Sequence, residues 1–225
     1  MAERIDSRAV ARGIRDIIWP LLRCKGFTQF SSRTAWRYSQ DQIHVVNYQS
    51  FNRYLADGLS CTPFSFSINL GKFFRAIPLE DAAANGLDPA LTPQEWRCHF
   101  RHHMLKGIDQ HLFPRRDIWS VEYDGRNLPS CLVDSRTALD RDGLPWFDRF
   151  DSMELVLSLL VDQEQLPEVL AARNSPARNR MIGYIAQSIG RTDLAGELIS
   201  KAESEIQAIH ARVHSIGRNR NRNQQ

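Results

Sequence analysis

Residues 26–71 carry four short runs that decide the fold: GFTQF (26–30), RTAWRYS (33–39), QIHVVNYQSF (42–51) and PFSFSINLG (63–71). In the last of these Phe64, Phe66, Ile68 and Leu70 alternate with Ser65, Ser67, Asn69 and Gly71. A strict period of two means a strand with one packed and one polar face, the usual state of an antiparallel sheet. Trp36 and Tyr38 alternate in the same way with Ala35 and Arg37, and Gln40-Asp41 makes a hairpin turn into Gln42–Ser50.

Upstream the period is 3.6. Val10, Ile14, Ile17, Ile18 and Leu21 gather on one side of a helix running from Asp6 or Ser7 to about Cys24. That apolar stripe is what would cover the packed face of the sheet. Pro20 lacks an amide donor and should kink the last turn, while Gly26 suits a left-handed cap. Arg4, Arg8, Arg12 and Arg15 form a second stripe, which reads as a solvated face or, more sharply, as a rail for phosphates.

Downstream, residues 51–62 with Asp57-Gly58 read as a surface loop, and Ile77–Leu91, rich in Ala, Asp, Gly and Pro, as a connection. Thr92-Pro93-Gln94-Glu95 resembles a helix start with a capping box, and it predicts a helix over EWRCHFRHHMLKG to Gly107. Ile118–Tyr123 and Ser130–Val133 are expected as short strands around the Asp124-Gly125 turn. From about Ser135 the pattern is helical, with helices expected after Asp151, over Pro167–Asn174, Pro176–Ile189 and Thr192–Ser215.

The expected fold class is therefore α+β: an N-terminal helix packed on a mostly antiparallel sheet, followed by an α-helical C-terminal region. The expected domains are residues 1–134 (sheet domain), 135–216 (helical region docked on it) and 217–225 (disordered basic tail). The chain of 225 residues, 42% hydrophobic and 24% charged, is large enough for a real core. A net charge of +3 is compatible with a polyanionic partner without demanding one. No run reaches the roughly 18 apolar residues of a membrane span, and the charged N-terminus argues against export, so a cytoplasmic location is expected. Cys24, Cys61, Cys98 and Cys131 are widely spaced and read as reduced thiols, not as a disulfide or metal framework.

The order of features over roughly Arg8–Leu160 resembles an uncharacterised bacterial family, domain of unknown function 4304. WPLLRCKGF, RTAWRY, HVVNYQS and the strand into NLG carry the likeness, followed by WRCHFR, Asp117-x-Trp119 and LPWFDRF. The resemblance implies an α+β fold and a bacterial origin, and it brings no catalytic residues.

Candidate chemistry centres on a few groups. His99 and His103, four apart, would face the same way on a helix as a metal-binding pair does, but HFRHH has Phe100 where a zinc protease needs Glu. They are therefore expected to border the core, and the same spacing recurs at His210 and His214. No nucleophile elbow, Walker loop or dinucleotide-binding glycine pattern is present, and no cofactor is expected. Asn47 and Gln49, with Ser65, Ser67 and Asn69 on another strand, offer paired hydrogen bonds to a ligand or peptide; Asn47 and Gln49 share a face with Ile43 and Val45, and the other reading is that they are buried and satisfied at the sheet edge. Arg97, Arg101, Arg115 and Arg116 are candidate contacts for an acidic protein or nucleic acid.

These features favour a non-enzymatic interaction module whose partner is another protein, of the accessory or immunity type found in defence or toxin loci. The alternatives are a nucleic-acid-associated protein using the Arg-rich surfaces, and a hydrolase or nuclease using the middle histidines.

Overall fold

The computed structural model describes residues 5–78, 92–111, 113–163, 166–169 and 171–222, with side chains described as far as Arg212. The expected 77–91 connection lies outside the described residues, apart from Ile77 and Pro78. Two compact units emerge, Met1–Arg75 with Leu79–Arg149, and Ala76–Pro78 with Phe150–Gln225. The division therefore falls after Arg149, not at residue 134.

The first unit holds a five-stranded antiparallel meander in sequential order: β1 (Gln29–Phe30), β2 (Thr34–Tyr38), β3 (Gln42–Ser50), β4 (Phe66–Phe74) and β5 (Phe100–His103). Its helices are α1 (Ser7–Gly13), α2 (Trp19–Cys24), α3 (Arg53–Gly58), α4 (Leu128–Ala138) and α5 (Leu144–Asp148). The α+β expectation holds. Asp6 caps α1, its Oδ1 accepting the Ala9 N–H at 2.7 Å.

Both longer helical segments pass through a five-residue π turn, Ile14–Ile18 and Leu139–Gly143, and each turn is followed one residue later by proline, Pro20 and Pro145. Proline has no N–H for the carbonyl four residues back, and the widened turn ahead of it accommodates that missing donor. The two segments lie close together: a Cβ on Gly13 would collide with Leu132 Cδ1.

Register pairs such as Ala35↔Val46 and Val46↔Leu70 define one face of the sheet. Helical residues cover it. Trp19 packs edge-on to Tyr48 at 6.0 Å, Tyr48 Oη lies 3.4 Å from Ser135 Oγ, and Phe147 stacks on His44 at 4.7 Å. Lys72, fully buried, donates to the Phe147 carbonyl at 2.6 Å. On the opposite face Trp36, Ile43, Val45 and Phe73 form a hydrophobic cluster with Cys98. Gly71 makes that approach possible, since a Cβ there would lie 2.5 Å from Cys98 Sγ.

Several local expectations are corrected. The helix predicted after Thr92 is a single 3-10 turn, Glu95–Arg97, followed by strand β5. Phe100 and His102 face the helices while Arg101 and His103 face away, so the local period is two. Of the two strands expected near the Asp124-Gly125 turn, only an isolated bridge Phe66↔Trp119 forms, and Ser130–Val133 belongs to α4. The 51–62 loop contains α3, capped by Asn52 Oδ1 accepting the Leu55 N–H at 2.8 Å.

The second unit contains α6 (Met153–Asp162), α7 (Pro176–Ser188) and α8 (Thr192–Arg222). Described residues within 167–174 form turns where a helix was expected. Buried Arg178 donates to the Leu160 carbonyl at 2.8 and 3.0 Å and to Gln163 O at 2.6 Å, satisfying the C-terminal end of α6. Residues 217–222, expected as a disordered tail, continue α8. Among the described residues no helix is long and apolar enough to cross a membrane.

Candidate binding groove

Two amide side chains shape a surface groove of the first unit. Gln110 grips the backbone of Ser120 from one side: its Nε2 donates to Ser120 O at 2.7 Å and its Oε1 accepts the Ser120 N–H at 3.1 Å. Asn127 holds the same turn from the other, donating to Ser120 O at 2.8 Å and accepting the Glu122 N–H at 2.8 Å. The turn is tied down to the segment before β4, where the Thr62 hydroxyl donates to Val121 O at 2.6 Å and Ser65 Oγ accepts the Val121 N–H at 3.0 Å. Between residues 57–62, residues 108–111 with Phe113, and residues 120–131 a groove of about 1040 Å³ remains open.

Ile108, Phe113 and Tyr123 supply its apolar lining, and Tyr123 is 58% exposed. Its charged residues are mostly acidic: Asp57, Asp109 and Glu122 against Arg126. Arg126 is already paired with Glu122, and Asp109 lies 3.0 Å from His111 Nδ1.

Cys61 and Cys131 also line the groove. Burial, reinforced by the Asp134 carboxylate, pushes the Cys131 thiol up to about 11, and burial raises Cys61 as well. Both are therefore thiols and not thiolates at neutral pH, the opposite of what a nucleophile requires. Lys106, whose ammonium donates to Gln110 Oε1 at 2.9 Å and Phe113 O at 3.0 Å, has its pKa lowered by burial.

The sheet residues singled out by the sequence partly converge. Register places Thr34, Asn47, Asn69 and His103 side by side across β2–β5, with Gln49↔Ser67 and Gly71↔Arg101 on the same face. They bind one another. Asn47 Nδ2 donates to Thr34 Oγ1 at 2.9 Å, Asn69 Nδ2 to Gln49 Oε1 at 2.6 Å, and His103 Nδ1 to Asn69 Oδ1 at 2.7 Å. With Asn69 only 2% exposed, the row is a stitched polar seam, and only Gln49 and His103 are left exposed within it. Ser65 does not belong to this face: it precedes β4, fully buried and bonded to Thr62 and Val121.

Arg101 is paired with buried Glu95 at 2.7 Å, Arg97 lies over Trp96, and Arg115 is forked onto Asp117. Arg116 is exposed, and its carbonyl accepts the Lys106 N–H at 2.8 Å. Arg8, Arg12 and Arg15 border a separate hollow of about 700 Å³ with Ser31 and Ser32, on the helical side of the sheet. Arg101 and the group of Arg8, Arg12 and Arg15 thus lie on opposite sides of the sheet.

His99 and His103 lie on an extended segment, where four residues span about 13 Å, so they do not form the metal pair that a helix would allow. Burial lowers the His99 pKa to about 4, and its Nδ1 accepts the Phe74 N–H at 3.0 Å. No cluster of three or more metal-ligating side chains occurs among the described residues.

Sequence reasoning did not single out Gln110, Tyr123 or Asn127. The usable signal was the Asp124-Gly125 turn, whose Gly125 has φ of +69°, flanked by short amide and hydroxyl side chains. Comparison of the chain with family models, curated proteins and solved structures gives no match.

Proposed function

We propose that this chain is a cytoplasmic bacterial protein of the family it resembles, domain of unknown function 4304, and that it is a non-enzymatic module binding an extended segment of a partner protein in the groove. The observation that carries the reading is the groove itself: about 1040 Å³, with apolar walls, a floor organised by neutral amides and a predominantly acidic set of charges. Pockets of that size with a few placed polar groups are the usual form of a binding site. The acidic charges oppose a phosphate backbone and suit a neutral or basic peptide. The protonated state of both thiols supports recognition over nucleophilic chemistry.

The test is photo-crosslinking from position 123 inside a bacterial host, with exposed Arg191 as the control site. The expected result is one protein adduct specific to position 123 and insensitive to nuclease. Adducts equal to those from position 191, or adducts lost on nuclease treatment, would sink the proposal.

A further inference from the structure

Helix α8 runs for 31 residues, about 46 Å, while its hairpin partner α7 has 13, about 20 Å. Gly183 of α7 lies against Ile199 and Ala195 of α8, where a Cβ would come within 2.6 Å of Ile199 Cγ1. Following that antiparallel pairing, the N-terminal end of α7 at Pro176 falls opposite roughly residue 204 of α8. Residues 207–212 are all exposed, with Ile209 at 52%.

In proteins most helical stability comes from packing of an amphipathic face. The stripe has a strict heptad spacing. Ile199, Ala202, Ile206, Ile209, Val213 and Ile216 follow one another at intervals of three and four, which is the a/d pattern of a coiled coil. With Ile199, Ile206 and Val213 at a, the flanking g positions are Glu205 and Arg212, and the e positions are Glu203 and His210.

We propose that the distal part of α8 is an antiparallel homodimerisation element whose partner is α8 of a second copy of this chain. With the two-fold axis between Gln207 and Ala208, Ile206 of one copy meets Ile209 of the other in two central layers. In the same register Glu205 falls opposite Arg212 of the second copy, and Glu203 opposite His210, each pair occurring twice by symmetry. A single stripe thus matches both its apolar and its charged positions when paired with itself, as an isologous interface must. Parallel pairing would instead set Arg212 opposite Gly217.

The experiment is sedimentation velocity on the full chain over a hundredfold concentration range, with circular dichroism to verify folding. A concentration-dependent dimer is expected for the native chain. Ile209→Glu and Glu205→Arg should each weaken it at least tenfold, and Glu205→Arg with Arg212→Glu should restore it. The restoring pair keeps the test informative if Ile209→Glu perturbs the helix. A chain that stays monomeric throughout overturns the proposal, as does a dimer indifferent to Ile209→Glu or left unrestored by the charge exchange.

Discussion

Asp134→Ala is the sharpest probe of how the groove wall is held. One oxygen, Oδ2, accepts both the Gly107 N–H at 3.0 Å and the Trp119 indole N–H at 2.8 Å. Gly107 is exposed, so water can replace that bond at little cost. Trp119 is fully buried and stacked on Phe66 at 5.8 Å, so its N–H would be left in a nearly dry site. Losing a hydrogen bond to a charged acceptor and stranding its donor costs about 2 kcal/mol, which in a chain of this size lowers the melting temperature by about 4–8 °C. Asp134→Asn keeps an acceptor oxygen in the same place and should lose only about 1 kcal/mol, the charge-assisted part. Urea denaturation followed by tryptophan fluorescence measures both. In a Trp119→Phe background the Asp134→Ala cost should largely vanish, because the stranded donor is gone. An Asn variant as damaged as Ala, or an Ala variant within about 0.5 kcal/mol of native, would refute the shared-oxygen account.

Acid should destabilise the first unit through its buried histidines. Burial, with Lys72 and Arg37 adding to it, depresses His44 to about 2, and burial alone takes His99 to about 4. Their stabilising neutral state is complete above the ordinary histidine pKa of about 6.5 and is lost as pH falls below it, each ring contributing up to about 1.4 kcal/mol per pH unit. Urea midpoints between about pH 7 and pH 4.5 should fall accordingly, and a flat profile would contradict the burial of both rings. Thiol labelling with iodoacetamide should modify exposed Cys24 first, with Cys61, Cys98 and Cys131 protected until denaturation, as read by mass spectrometry. Gly71→Ala should cost about 1–3 kcal/mol by overpacking against Cys98, and an unchanged melting curve would show that the 95–98 turn yields freely.

The central sheet was legible because Ala35–Tyr38 and Phe64–Gly71 alternate with a period of two, and the Gln40-Asp41 turn separates β2 from β3. Strand β5 was not. Its four residues include two histidines and an arginine, none a strong strand former, and the Thr92–Glu95 cap points locally to a helix. Pairing with β4 overrides that preference, through partners such as Asn69 for His103 and Lys72 for Phe100 that are distant in sequence. The same long-range dependence hid the groove. Its lining is spread over residues 57–131 on turns with no period, whereas the polar face singled out in β3 and β4 followed directly from alternation. What alternation did not reveal is that those amides bond to one another.

That self-bonding has a consequence for how the sheet finds its alignment. Apolar residues occur on both faces of β3 and β4, so hydrophobicity alone distinguishes poorly between correct pairing and a slip of one residue. A slip would turn Asn69 toward the helical layer and part it from Gln49 and His103, burying an amide with no acceptor or donor in reach. The row from Thr34 to His103 therefore acts as a key cut across four strands. It adds little to the depth of the native well and much to the penalty of every neighbouring one.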